Sequence, residues 1–172
     1  MFGNLERSRF IANSAICIGL IAVGSWISIP FVPVPFTLQT FFVLVTAAIM
    51  KRYAVVPVGL YLLFGAVGLP VFHNGIAGLG VFLGPTGGYL IGFLPAALCA
   101  GLAFERESVY PQALGLAAAT LVIYLFGISW LIVSTGISFP AAVLVGAVPF
   151  LPGDIVKAAA AYATARTLRK VS

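Results

Sequence analysis

The sequence predicts an all-α integral membrane protein with six transmembrane helices, folded as one domain over residues 1–172. The first observation is composition. The chain is 62% hydrophobic and 8% charged, with a mean hydropathy of +1.15, whereas a soluble domain carries about a quarter charged residues. The second observation is spacing, because short charged clusters separate long apolar blocks. At about 20 residues per span, this length allows six helices.

The charged clusters divide the chain into three apolar blocks. They lie at residues 6–9, 51–52, 105–107 and 166–170, and the blocks are residues 10–50, 53–104 and 108–153. Each block is about twice as long as one span, so we expect each to cross the bilayer and return. All four clusters then lie on one side. Because positive residues near span ends mark the cytoplasm, we expect both termini there, in a multi-pass protein of the cell membrane.

The six helices are expected at residues 10–29, 37–50, 53–69, 86–104, 110–133 and 152–168, with a short partial helix at 141–148. Proline and glycine interrupt the outer connections in PFVPVPF, GIAGLGVFLGPTGG and VPFLPG. Non-helical backbone at membrane depth is tolerated where it is buried in protein or lines a cavity. These interruptions fit either an outward-opening pocket or ordinary turns at the headgroups.

Asp154 and Lys157 are the strongest single signal of function. They lie three residues apart in an apolar stretch, which places them on one face at the start of the sixth helix. The first helical turn favours a carboxylate, and a charge at mid-membrane costs about 2.5 to 3.5 kcal/mol. We interpret the pair as part of a pocket in which Asp154 accepts N–H donors and Lys157 receives an anionic group. The alternative is a self-contained ion pair with Lys157 extending toward the headgroups.

Other polar and small residues allow two interpretations each. Thr37 and Gln39 open the second helix as a cap or as pocket residues. Tyr89 presents its ring and hydroxyl to a ligand or anchors the helix at the interface. In the first helix, small residues at spacings of three and four suit close approach by a helix of this bundle or of another membrane subunit. They are Ala12, Ala15, Gly19 and Ala22.

The sequence does not predict a cofactor, a metal site or a nucleic-acid partner. Walker and HExxH motifs do not occur, so any ATP site is expected on another chain. His73 has no nearby Cys, Asp or Glu, and Cys17 and Cys99 lie far apart in apolar runs, which is not a metal-ligand spacing.

Four ordered motifs carry a family resemblance: PVPFTLQTFFV at residues 33–43, YLLFGAVGLPVF at 61–72, GPTGGYLIGF at 84–93 and LPGDIVKA at 151–158. Together they resemble the BioY family, the biotin-specific substrate-binding (S) component of energy-coupling factor (ECF) transporters. The resemblance covers nearly the whole chain. It implies an S-component-like bundle that captures biotin with high affinity, assisted by a transmembrane coupling subunit and two ATPase subunits.

The resemblance also implies site residues. The family's biotin pocket uses positions that match Thr37, Gln39, Asn74, Tyr89, Asp154 and Lys157. Asp154 would accept a ureido N–H, Asn74 would donate and accept, and Lys157 would balance the carboxylate. Trp26 and Tyr89 would form walls for the thiophane ring. The family's AxxxA contact with the coupling subunit corresponds to Ala15 and Gly19 here, an AxxxG variant.

Three other functions fit parts of the same pattern. An S component for another vitamin, such as thiamine or riboflavin, would share the architecture. An intramembrane enzyme could use Asp154 and Lys157 as an acid–base pair, but no recognisable motif supplies a second acid or a nucleophile. An ion channel or proton relay could be built on the same pair. The ordered motifs favour biotin and predict a protein that is not an enzyme.

Overall fold

The computed structural model describes the backbone of residues 2–171 and the side chains of residues 4–168. The helices run Phe2–Trp26 (α1), Gln39–Met50 (α2), Val55–Ala66 (α3), Gly80–Leu83 (α4), Gly87–Ala103 (α5), Val109–Thr135 (α6), Phe139–Gly146 (α7) and Leu151–Val171 (α8). Two short strands, Ser28–Ile29 (β1) and Phe36–Thr37 (β2), pair antiparallel, and 3-10 turns span Lys51–Ala54 and His73–Gly75. The predicted helical fold is confirmed, and α7 is the expected partial helix.

α2 and α3 form an antiparallel hairpin. Residues 39–66 are long and apolar enough to cross a membrane as one segment, but Lys51 has φ +54° and ψ −136°, which interrupts the helix. Gln39 Nε2 donates to the Tyr61 hydroxyl over 2.6 Å, although the two residues are 22 positions apart. A straight helix would separate them by about 33 Å. The chain therefore turns back at Lys51, as the basic pair Lys51 and Arg52 predicted.

The structure has fewer full-length spans than the sequence predicted. In the described part of the chain, three segments have the length and apolarity to cross a membrane: residues 4–26, 39–66 and 109–135. α7 and α8, bent by 52°, can form a fourth, while α5 is shorter. Because residues 39–66 fold back as a hairpin, they do not form one long span. α2 and α3 have 12 residues each and are about 18 Å long, which is shorter than a hydrocarbon core of about 30 Å.

Charged residues gather at one end of the bundle, which we call the charged end. Arg52 Nε and Nη2 donate to the two carboxylate oxygens of Glu105 over 2.5 and 2.6 Å, joining the second and third clusters. Phe10, directly after the first cluster, packs edge-on against Tyr53. The guanidinium of Arg52 lowers the pKa of Glu105 below its usual range. Of the fourth cluster, Arg169 and Lys170 lie outside the described side chains.

Close contact between α5 and α6 depends on glycine. A Cβ on Gly88 would lie 2.3 Å from the carbonyl oxygen of Phe126, and a Cβ on Gly92 would lie 3.0 Å from the Phe126 Cβ. This GxxxG pair thus allows the two backbones to approach closely. The outward faces carry many exposed large apolar side chains, among them Leu125 and Val133, which suits contact with lipid.

Candidate functional site

A cavity opens at the end of the bundle opposite the charged end. It is enclosed by the segment around β2, the start of α2, α5, α6 and the start of α8, and its volume including the mouth is about 540 Å³. Only about 60 Å³ of this is wide enough for the centre of a water molecule, so the cavity is narrow. The lining residues are Val34, Pro35, Phe36, Thr37, Gln39, Thr40, His73, Thr86, Tyr89, Leu90, Phe93, Ile123, Tyr124, Phe150, Asp154 and Lys157.

The ion pair of Asp154 and Lys157 lies in the wall of this cavity. Lys157 Nζ donates to Asp154 Oδ1 over 2.8 Å, and the two side chains are 7% and 11% exposed. Lys157 also donates to Thr40 Oγ1 over 3.1 Å, and its ammonium lies 3.8 Å from the centroid of the Phe36 ring. The ammonium thus faces protein, and the alternative in which Lys157 extends toward the headgroups is wrong.

Tyr124 of α6 completes this polar group. Its buried hydroxyl donates to Asp154 Oδ2, so each carboxylate oxygen has one protein donor. A carboxylate offers about four lone-pair sites and an ammonium three N–H donors. Asp154 therefore keeps acceptor capacity for a ligand N–H. Lys157 keeps one donor for a ligand oxygen beyond the bonds to Asp154 and Thr40. The site can recognise a group that both donates and accepts hydrogen bonds.

The sequence of α8 explains why the pair is tolerated in apolar surroundings. The helix before PFLPG ends at Gly146, and α8 begins at Leu151 within this motif. Asp154 therefore falls in the first turn of α8, where the helix dipole stabilises negative charge. The residue three positions later, Lys157, is brought to the same face. Burying a charge alone would be costly, but here each charge has a partner and further hydrogen bonds.

Gln39 and Thr37 also line the cavity, as predicted from FTLQT. Gln39 is buried and donates to Tyr61, whose own hydroxyl donates to the Val71 carbonyl over 2.9 Å. This chain of bonds fixes the Gln39 amide relative to α3 and the following loop. Thr37 Oγ1 accepts the backbone N–H of Gln39 over 3.2 Å. The N-cap position itself is Leu38, which makes no side-chain cap hydrogen bond, so the expectation of a cap is wrong, while Thr37 and Gln39 both line the cavity.

Tyr89 forms part of the wall between α5 and α6. Its hydroxyl donates to the carbonyl of Gly146 over 2.8 Å. A Cβ on Gly127 would lie 2.3 Å from the tyrosine ring, and one on Gly146 would lie 2.5 Å from its hydroxyl. Two glycines thus make room for the ring of Tyr89, which lines the cavity while its hydroxyl bonds to the backbone.

Two predicted site residues are not part of the cavity lining. Trp26 is 53% exposed, and its Nε1 donates to the Pro70 carbonyl over 2.9 Å. Asn74 is exposed, has φ +54°, and accepts a hydrogen bond from Ser28 Oγ over 2.8 Å. The reason is local: α1 ends at Trp26, earlier than predicted, and the turn at residues 73–75 directs His73, not Asn74, to the cavity.

Sequence reasoning missed several lining residues. Tyr124 lies in the run LVIYLFG, in which every side chain is apolar or aromatic and no periodicity marks the inner face. Phe36 and Phe150 stack with ring centroids 6.0 Å apart and planes 9° apart, although they are far apart in sequence. Of these lining residues, Thr40 could have been predicted most easily, because it belongs to the motif FTLQT.

The predicted contact face of α1 is open. Ala12, Ala15 and Gly19 are exposed, and no atom of the described residues lies within 4 Å of a Cβ built on Gly19. Cys17 and Ile21, on the opposite side, are buried in the core. Internal packing is therefore wrong for these three small residues, whereas Ala22 is buried.

Known proteins resemble the chain over nearly its full length. A biotin transporter BioY of Thermotoga maritima is 42% identical over 95% of this chain and 97% of the relative. A probable biotin transporter BioY of Pyrococcus horikoshii is 37% identical over 95% and 98%. The crystal structure of the S-component for biotin from an ECF-type ABC transporter superposes with a TM-score of 0.88, at 26% identity, over 97% of this chain and 94% of that one. The BioY family profile matches residues 3–172, and the chain belongs to the BioY family.

Proposed function

We propose that this chain binds biotin in the cavity and acts as the membrane-embedded capture subunit of an ECF-type ABC transporter. The observation that carries the proposal is the group formed by Asp154, Lys157 and Tyr124 in the wall of an otherwise largely apolar cavity. Relatives named as biotin transporters and the similar biotin S-component support this choice over thiamine or riboflavin. The role is transport and not catalysis.

The ureido ring of biotin suits the polar end of the cavity. This ring has two N–H donors and one carbonyl acceptor, and the site offers the complementary groups. Asp154 accepts an N–H through a free lone pair, and the remaining N–H of Lys157 donates to the carbonyl. The charge of Lys157 is already balanced by Asp154 at 2.8 Å. A second carboxylate placed there would be repelled by Asp154, so the ureido ring fits better than the tail.

The valerate carboxylate then points toward the mouth. There α5 begins at Gly87 after Thr86, and the first N–H groups of a helix, with its dipole, favour an anion. The thiophane ring would lie between, against Tyr89, Leu90 and Phe93. In the competing arrangement, which the family resemblance implies, Lys157 pairs with the valerate carboxylate of biotin.

Affinity for biotinamide distinguishes the two arrangements. If Lys157 contacts the ureido carbonyl, replacing the carboxylate by an amide changes affinity by a similar factor in the wild type and in Lys157→Met. If Lys157 pairs with the carboxylate, the wild type discriminates strongly against biotinamide and the variant loses that discrimination. Both affinities are measured by titration calorimetry of the purified protein, and Ala163→Met provides an exposed control substitution in the same helix.

The charged end indicates how the protein is oriented in the membrane. We propose that it faces the cytoplasm, in agreement with the positive residues there, and that the cavity faces outward across the cell membrane. The short helices α2, α3 and α5 complete a six-helix arrangement with both termini inside. The open face at Ala12, Ala15 and Gly19 is the proposed contact for a coupling subunit, and two ATPase subunits supply the energy.

Ligand titration tests the proposal. We expect the detergent-purified chain to bind biotin tightly and to give no heat with thiamine or riboflavin at the same concentrations. Tighter binding of either of those vitamins would contradict the assignment of biotin. The absence of saturable binding by any of the three, in folded protein, would contradict the role as a capture subunit.

A further inference from the structure

The single histidine of the chain, His73, lies in the wall of the proposed biotin cavity. The loop after α3 carries it, and its imidazole is partly buried. Among the described residues, neither ring nitrogen has a hydrogen-bond or ion-pair partner. The ring therefore keeps one donor and one acceptor free when it is neutral, and two donors when it is protonated.

The loop holds His73 in place through its neighbour in the chain. Phe72 is fully buried, and its ring packs edge-on against Tyr61 and Phe82, with ring centroids 5.6 and 5.5 Å away. The His73 carbonyl accepts the Ile76 N–H over 3.2 Å, which closes the turn. The loop also lies outside the segments long enough to span the membrane, so its imidazole can exchange a proton with water.

Positive charge in the cavity is limited to two side chains. Lys157 Nζ lies 2.8 Å from Asp154 Oδ1, so the charge of this ammonium is already balanced. Among the residues that line the cavity, His73 is the other side chain that can become a cation. Burial is the cause that lowers its pKa, and no charged neighbour contributes. The imidazole is therefore free to pair with a charge that the ligand brings.

Biotin brings one negative charge, on its tail. From the position, the free nitrogens and the charge of the cavity, we propose that His73 holds the carboxylate of biotin through an N–H and takes up one proton from water when biotin binds. Thr86, at the start of α5 where the carboxylate is proposed to lie, lines the same cavity and makes no side-chain cap bond. The inference rests on the proposed function and adds a positioning residue to it.

The proposal predicts stronger binding of biotin at lower pH. Burial lowers the pKa of the free imidazole below its ordinary value of about 6.5, so the ring is neutral at about pH 8. A bound carboxylate favours the imidazolium and raises its pKa in the complex. Affinity is therefore gained as the pH falls through the pKa of the complex, and it levels off below the pKa of the free site.

Other titratable groups face this loop or the cavity. In the described part of the chain they are the hydroxyls of Tyr61, Tyr89 and Tyr124 and the pair of Asp154 and Lys157. Tyrosine ordinarily titrates near pH 10. The ion pair contacts the ureido ring, which biotin and biotinamide share. The ratio of the dissociation constants of biotinamide and biotin therefore isolates the effect of pH on the tail.

Nuclear magnetic resonance of the wild-type protein tests the proposal directly. Because the sequence has one histidine, labelling histidine with ¹³C at Cε1 gives one resonance. Its shift is followed from about pH 5.5 to about pH 8.5 in the detergent-purified chain without ligand, with saturating biotin and with saturating biotinamide. We expect biotin to raise the titration midpoint by at least about one pH unit and biotinamide to leave it unraised. Equal midpoints with the two bound ligands would overturn the proposal.

Calorimetry of variants gives a second test. In the wild type, the ratio of the two dissociation constants should rise at least about tenfold from about pH 8.5 to about pH 5.5. His73→Gln should make the ratio independent of pH, and His73→Lys should keep it high throughout, because lysine stays charged. Ala163→Gln, at an exposed position of α8, is the control and should behave like the wild type.

The possible failures are distinguishable. The same pH dependence in His73→Gln as in the wild type would overturn this inference alone, because biotin would still be bound. The absence of saturable biotin binding in folded wild-type protein would refute the proposed function and this inference with it. The resonance experiment uses no substitution, so it decides the question even where a variant does not fold.

Discussion

Asp154→Asn is the most informative single change in the proposed biotin site. The substitution keeps the shape of the side chain and removes its charge. A hydrogen bond to a charged group contributes about 1.5 to 3 kcal/mol, and 1.4 kcal/mol corresponds to a factor of ten. If Asp154 accepts a ureido N–H, the dissociation constant of biotin should rise by at least about tenfold and by up to about 150-fold.

The fold must be checked in the same variant. Asp154 and Lys157 are nearly enclosed, and removing one member of a buried pair can cost about 3–5 kcal/mol of stability. The asparagine keeps one acceptor oxygen for Lys157, so we expect the low end of this range and a folded protein. Size-exclusion profile and thermal midpoint are measured beside biotin calorimetry. Glu105→Gln, the same chemical change at the charged end, is the matched control and should bind like the wild type. A dissociation constant within twofold of the wild type in folded Asp154→Asn would refute the reasoning.

The other predictions address the surroundings of this carboxylate and the open face of α1. Tyr124→Phe removes one hydroxyl donor and should weaken biotin binding about threefold to tenfold, because Asp154 is then positioned less well. An unchanged dissociation constant in calorimetry would mean that the tyrosine has only a structural role. Gly127→Ala places a methyl group 2.3 Å from the Tyr89 ring. It should displace that ring and weaken binding, whereas Gly19→Ala, at an open position, should not. Ala15→Leu with Gly19→Leu should abolish uptake that depends on the coupling subunit while leaving biotin affinity unchanged, measured by radiolabelled uptake and calorimetry. Loss of affinity in this variant would mean that the face supports the cavity.

The helices could be predicted from the sequence because charges and helix breakers are unambiguous in so apolar a chain. Lys51 and Arg52 mark the turn of the α2–α3 hairpin, and PFLPG marks the start of α8. Helix length was harder to predict. The second helix was predicted at 37–50 and runs Gln39–Met50, whereas the third was predicted to continue to residue 69 and ends at Ala66. The stretch after Ala66 stays apolar, so composition alone does not mark the end of α3.

The candidate site was predicted where a residue is polar in apolar surroundings. Asp154, Lys157, Gln39 and Thr37 stand out for this reason, and the structure brings all four to one cavity. Tyr124 could not be identified, because a tyrosine in an apolar helix fits the inner and the lipid-facing side equally well. Trp26 and Asn74 were expected in the wall of the cavity. Their positions depend on where α1 ends and on how the loop at residues 73–75 turns, and the residue types alone do not determine either feature.

A structure of this chain with biotin bound would test the central claim most directly. The account predicts the ureido ring at the inner end of the cavity, with one ring nitrogen within about 2.7–3.2 Å of an Asp154 carboxylate oxygen and the ring carbonyl at a similar distance from Lys157 Nζ. Biotin bound elsewhere, or bound in the cavity with its ureido nitrogens more than about 4 Å from Asp154, would contradict the account.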